Sequence, residues 1–91
     1  SAYYQDCTFC GVVKESDGEK AVVEQRNRFR IGDTLEILSP YSMGESFTVD
    51  YIFSEEGCEM MSASHPMELV EINCPYELEE GDILRRRDTE S

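Results

Sequence analysis

Two arginine clusters stand out as residues able to do binding chemistry. Arg26, Arg28 and Arg30 occupy alternate positions in EQRNRFRIGDTLEI, and Arg85, Arg86 and Arg87 run consecutively near the C-terminus. Guanidinium is planar, permanently charged and forked, so neighbouring arginines suit phosphate or carboxylate ligands. If residues 26–30 are extended, the three arginines point to one side, with Asn27 and Phe29 opposite. The setting makes the clusters notable: 20 acids against 8 bases give a formal charge of −12, and six of the eight bases lie in these clusters. Such an excess of acid opposes general attraction to nucleic acid or anionic membrane. Three uses of the arginines are open: pairing with the chain's own carboxylates, contact with another domain's acidic surface, or contact with RNA phosphates. The second cluster, Arg85, Arg86 and Arg87, fits a solvated terminal run best.

Catalytic chemistry is harder to assemble. His65 is the only histidine, and Pro66 after it favours an extended backbone there. It reads as a turn residue; a Cys–His nucleophile pair with Cys58 or Cys74 is formally available, but no spacing selects it. Of the four cysteines, Cys7 and Cys10 have a C-x2-C spacing, while Cys58 and Cys74 are sixteen residues apart, so the second close pair of a zinc ribbon is lacking. Disulfides would need an oxidising compartment that no secretory segment here supports. Cys10, Cys58 and Cys74 therefore read as small buried hydrophobes. Neighbouring carboxylates such as Glu55-Glu56 and Glu79-Glu80 carry little information in so acidic a chain, and no phosphate loop or calcium loop is present. The expectation is no catalytic residue, no metal and no cofactor in this domain.

The elements that must position these residues are strands. Helix signals are nearly absent, and β-rich runs alternate with turn residues at the roughly 8–12-residue spacing of small barrels and sandwiches. Seven candidate strands follow: 9–15, 21–26, 34–38, 46–53, 58–63, 67–72 and 82–87. In the fourth, Phe47, Val49, Tyr51 and Phe53 are expected on one face. Ser16-Asp17-Gly18 and Glu55-Glu56-Gly57 read as hairpin turns. Parallel crossovers would need helices for which there is no room. The fold class is all-β, an antiparallel barrel of about six to eight strands, with a two-sheet β-sandwich as the alternative. Residues 1–91 read as one domain with its core at about 9–87 and a frayed tail over 88–91. The start SAYYQDC lacks an initiator Met, which fits a domain excised from a larger protein, with Ser1-Ala2 as a remnant of excision. No apolar run approaches the ~20 residues of a membrane span, and the expected setting is cytoplasmic.

One internal echo links the elements to the arginines. Arg28–Leu35 and Glu77–Leu84 share the pattern x-hydrophobic-x-x-Gly-Asp-x-Leu. Gly32 and Gly81 supply a backbone conformation closed to other residues, and Asp33 and Asp82 bond nearby amides, so each repeat predicts a tight turn feeding a strand. Phe29 and Leu78 are expected to plug the barrel.

Gly11-Val12-Val13, Val23-Glu24-Gln25-Arg26-Asn27-x-Phe29, Gly32-Asp33-x-Leu35-Glu36, His65-Pro66-Met67 and Gly81-Asp82-Ile83-Leu84-Arg85 together resemble the C-terminal domain of peptidase family U32, the collagenase-like proteases. The resemblance runs from about Phe9 to Arg86. It implies a compact β-barrel, similar to domain 2 of elongation factor Tu, appended to a larger catalytic domain. It also implies a parent enzyme of peptidase or RNA-hydroxylation type; in the latter, cysteines of the catalytic domain hold an iron–sulfur cluster. No ligand of that cluster maps onto this chain. The expected role is a non-catalytic accessory barrel that assists substrate engagement, with RNA as the candidate substrate, through Arg26, Arg28, Arg30, Phe29, Arg85 and Arg86. The alternative is a protein-interaction module that docks to the catalytic domain or binds a protein substrate such as collagen, with Phe29 or Tyr41 as apolar anchors.

Overall fold

The computed structural model describes residues 6–40 and 42–88, with backbone alone for Asp6, Cys7, Ser42, Met43, Gly44, Arg87 and Asp88. Ten strands appear in chain order: β1 (Asp6–Ser16), β2 (Lys20–Gln25), β3 (Phe29–Arg30), β4 (Thr34–Ser39), β5 (Ser42–Thr48), β6 (Ile52–Ser54), β7 (Glu59–Met60), β8 (Ser62–Ala63), β9 (Leu69–Asn73) and β10 (Ile83–Asp88). Eight make one antiparallel sheet in the order β5-β4-β10-β1-β2-β9-β6-β7, and β3 pairs with β8 alone. The main sheet curls into a half-barrel, the all-β architecture expected, rather than into two stacked layers.

Alternation is what makes the curl bury a core. In β2 every second residue is buried (Ala21, Val23, Gln25), as in β4 (Leu35, Ile37) and β9 (Val70, Ile72), so one face of each strand turns inward. These side chains, Gln25 apart, join Cys10, Val13, Phe29, Val49, Ile52, Cys74 and Leu84 in one cluster, each at most 1% exposed. Bulges between Phe9 and Gly11, Val13 and Glu15, and Glu36 and Leu38 bend their strands and increase the local twist. At the β1–β2 hairpin, Asp17 Oδ1 accepts the amides of Glu19 and Lys20 at 2.9 and 3.0 Å, and these bonds hold its carboxyl below the usual aspartate range.

Three sequence expectations need correction. The run 46–53 is two strands, not one: Phe47 and Val49 are buried, but Ile52 is the next buried residue, with Tyr51 and Phe53 half-exposed. The cause is Asn73, whose Oδ1 accepts the Asp50 amide at 2.6 Å while its Nδ2 donates to the Thr48 carbonyl at 2.8 Å. The chain turns there and rejoins the sheet beside β9 with its parity shifted. The run 58–63 likewise divides at Met61, because β8 leaves the main sheet to pair with β3. Cys58 is exposed, whereas Cys10 and Cys74 are buried as expected.

A candidate anion-binding rim

The two Gly-Asp turns are built alike. Gly32 and Gly81 have φ of +97° and +98°. Asp33 Oδ2 accepts the Arg30 amide at 2.9 Å, and Asp82 Oδ2 accepts the Glu79 amide at 3.0 Å. The Gly32 amide donates to the Val49 carbonyl and the Val49 amide to the Asp33 carbonyl, both at 2.9 Å. The same reciprocal pair joins Gly81 and Asp82 to Val13, both at 2.8 Å. Phe29 and Leu78 are both buried, at 0% and 7% exposure.

These turns launch β4 and β10, which pair antiparallel with Leu35 opposite Arg86 and Leu38 opposite Ile83. The start of β4 therefore lies beside the end of β10. One arginine cluster precedes the first turn and the other follows the second, so antiparallel pairing brings both to the same rim. Arg86 shares the inward parity of Leu84 and Leu35, and where the barrel ends it reaches to the chain between β2 and β4. Its Nη1 donates to the Arg28 carbonyl at 2.7 Å and lies 3.7 Å from Asp33 Oδ2. Residues 26–28 thus run from the middle of β1 to the end of β10. They are stitched to β1 by the Arg26 amide on the Cys10 carbonyl at 2.7 Å and by Asn27 Nδ2 on the Phe9 carbonyl at 2.6 Å.

The five described arginine side chains divide into two groups. Arg26 pairs with Glu24 at 2.8 Å and donates to the Met67 sulfur at 3.2 Å. Arg85 points outward and pairs with Glu36 on the neighbouring strand. Arg86 is spent on the crossing. Arg28 and Arg30 differ: both are exposed, and among the described residues neither side chain has a hydrogen-bond or ion-pair partner. They line a groove of about 500 Å³ together with Ile31, Gly32, Asp33, Met61 and Ser62. The expected single row of Arg26, Arg28 and Arg30 is therefore not formed, because only Phe29 and Arg30 of this stretch are in a strand. Phe29 lies in the core rather than on the binding surface.

Two forked cations on one groove can hold an oxyanion such as a phosphate or carboxylate. Met61, 75% exposed, gives that groove an apolar wall. Sequence reasoning missed Met61 and Ser62, which come from β8 and its approach. It also missed the convergence of Arg86, although the two Gly-Asp repeats combined with antiparallel pairing would have placed it.

The other chemical candidates lie elsewhere. His65 is exposed, and its carbonyl accepts the Glu68 amide at 3.3 Å in a turn. Burial pushes the Cys74 thiol up, toward the protonated form, the opposite of what a nucleophile requires. Among the described residues, no three His, Cys, Asp or Glu side chains group to hold a metal ion, and no helix is long and apolar enough to cross a membrane. The Cys7 side chain and Tyr41 lie outside the described residues.

Comparison with known proteins matches the fold as a whole. The C-terminal domain of a Geobacillus thermoleovorans protein described as a U32 peptidase superposes with a TM-score of 0.83 at 30% identity, covering 89% of this chain and 93% of that one. Its selenomethionine variant gives a TM-score of 0.79 at 32% identity, over 85% and 96% of the two chains. The tRNA hydroxylation protein P1 of Bacillus subtilis (strain 168) is 28% identical over 80 residues, which are 86% of this chain and 19% of that protein. The chain thus spans about a fifth of the length of that curated relative. The sequence profile of the peptidase family U32 C-terminal domain matches residues 5–85, and the chain belongs to that family.

Proposed function

We propose that this chain is a non-catalytic accessory barrel of a larger U32 protein, and that it helps its parent engage an RNA substrate through Arg28 and Arg30. The observation that carries this reading is the groove itself. A chain with 20 acidic residues leaves two adjacent guanidiniums without a carboxylate partner among the described residues. Internal pairing accounts for Arg26, Arg85 and Arg86, so of the five described arginine side chains Arg28 and Arg30 are the ones available to a ligand. The name of the Bacillus subtilis relative, a tRNA hydroxylation protein, favours RNA phosphate as that ligand. In this reading the domain works in the cytoplasm, holds no cofactor of its own and leaves the reaction to the rest of the parent chain.

The test is titration of the intact parent protein with tRNA across a range of salt. Replacing Arg28 and Arg30 by Ala removes two phosphate contacts. It should weaken binding and flatten the plot of log affinity against log salt by about 1.4–1.8, the slope lost with two contacts. An unchanged slope and affinity would sink the RNA role. A second reading, docking of this domain to the catalytic part of its parent, is favoured by Phe9, which is 40% exposed on the outer face opposite Arg85.

A further inference from the structure

We infer that the Arg28–Arg30 groove faces the junction with the preceding part of the parent chain, so that RNA is clamped between this barrel and its neighbour. The inference rests on the RNA reading above and adds the geometry of engagement. Topology supplies the first support. The crossing over residues 26–28 is bonded to Phe9 and Cys10 of β1 and to Arg86 of β10. β1 continues past that point in the direction of its N-terminus, from Thr8 to Asp6, which pairs with Asp88 at the end of β10. In a C-terminal domain the preceding polypeptide arrives along β1. It therefore enters at the rim that carries the groove, about 10 Å beyond Phe9, where the crossing is bonded.

Charge supplies the second support. Two guanidiniums on a chain of net charge −12 are a weak anchor for a polyanion, because the rest of the molecule repels it. Such a groove is useful when another surface already holds the RNA. The second contact then forms at an effective concentration set by the connection between the two. A groove at the opposite end of the barrel would lose that advantage.

The experiment is a double-mutant cycle in the intact parent protein with unfractionated tRNA as the probe. One change is R28A/R30A. The other is a flexible Gly/Ser insertion of about 12 residues ahead of Asp6, which adds a reach of roughly 20 Å. In the uninserted protein R28A/R30A should weaken binding about ten-fold, and the insertion alone should weaken it comparably. Combined, the two should cost little more than either one, because the insertion already removes the clamp. Strictly multiplicative losses would overturn the clamp and leave the RNA reading intact. No loss from R28A/R30A in the uninserted protein overturns both. If R28A/R30A instead leaves tRNA binding unchanged but speeds limited proteolysis at the junction, the groove is a contact between the two parts of the chain, and the clamp is likewise wrong. Folding of each variant is checked by its far-UV spectrum and melting midpoint, which exposed Arg28 and Arg30 should not shift.

Discussion

Arg86 ties the backbone of Arg28 to the end of β10. Its ion pair with Asp33 is long, 3.7 Å between partly exposed groups, and pairs of that kind contribute little. The bond to the Arg28 carbonyl, at 2.7 Å, is charge-assisted and anchors the backbone of the crossing at the residue whose side chain faces the groove. R86M should therefore lower stability by roughly 1–2 kcal/mol, measured as a shift in the urea midpoint. It should also weaken tRNA binding by the intact protein even though Met is inserted outside the groove. R86K, which retains a donor but loses the fork, should fall between the two proteins in both measurements. Equal midpoints for R86M and the unmodified protein would show that the crossing is held by its bonds to β1 alone.

At the scale of elements, the two Gly-Asp turns act as matched corners of the barrel, and their equivalence is open to measurement. An alanine Cβ at Gly32 or Gly81 meets nothing within 4 Å, so the substitution has no steric clash to confound it. What remains is the left-handed backbone, at +97° and +98°, which costs a residue with a side chain about 1–2 kcal/mol. G32A and G81A should thus destabilise by similar amounts in equilibrium unfolding, and a difference beyond about 1 kcal/mol would contradict the equivalence. These corners were legible in the sequence because Gly and Asp act locally: the conformation and the side-chain bonds they make lie within three residues. The β2 and β9 strands were legible for the same reason, through alternation. The break at Asp50 was not, because it is caused by Asn73, 23 residues away in the chain. β3 was equally hidden, since a two-residue strand exists only where Ala63 and Ser62 come to pair with it. The groove combines both cases. Its arginines are conspicuous as residue types, but which of the described ones stay unpaired depends on Glu24, Glu36 and Asp33 engaging Arg26, Arg85 and Arg86.

Charge is also unevenly distributed over the whole molecule. The end that carries the second Gly-Asp turn exposes Glu15, Asp17, Glu19, Glu77, Glu79 and Glu80. That end is closed by the bonds of Gly81 to Val13 and of Cys74 to Glu19, and by the approach of Gly18 to Glu77. The six residues of β4 separate it from the Arg28–Arg30 rim by roughly 20 Å. That distance exceeds the Debye length of about 8 Å at physiological salt but is less than the ~30 Å at 0.01 M. The acidic end should therefore repel an approaching RNA only in dilute buffer. Neutralising it with E77Q/E79Q/E80Q should raise the association rate of the intact protein with tRNA several-fold at 0.01 M salt and leave it nearly unchanged at 0.15 M. R28A/R30A should lower affinity at both concentrations, because its effect is contact rather than field. Stopped-flow association at the two salt concentrations separates these outcomes. A rate gain from the glutamines that persisted undiminished at 0.15 M would mean that RNA passes close to the acidic end, and the rim would then not be the surface it meets.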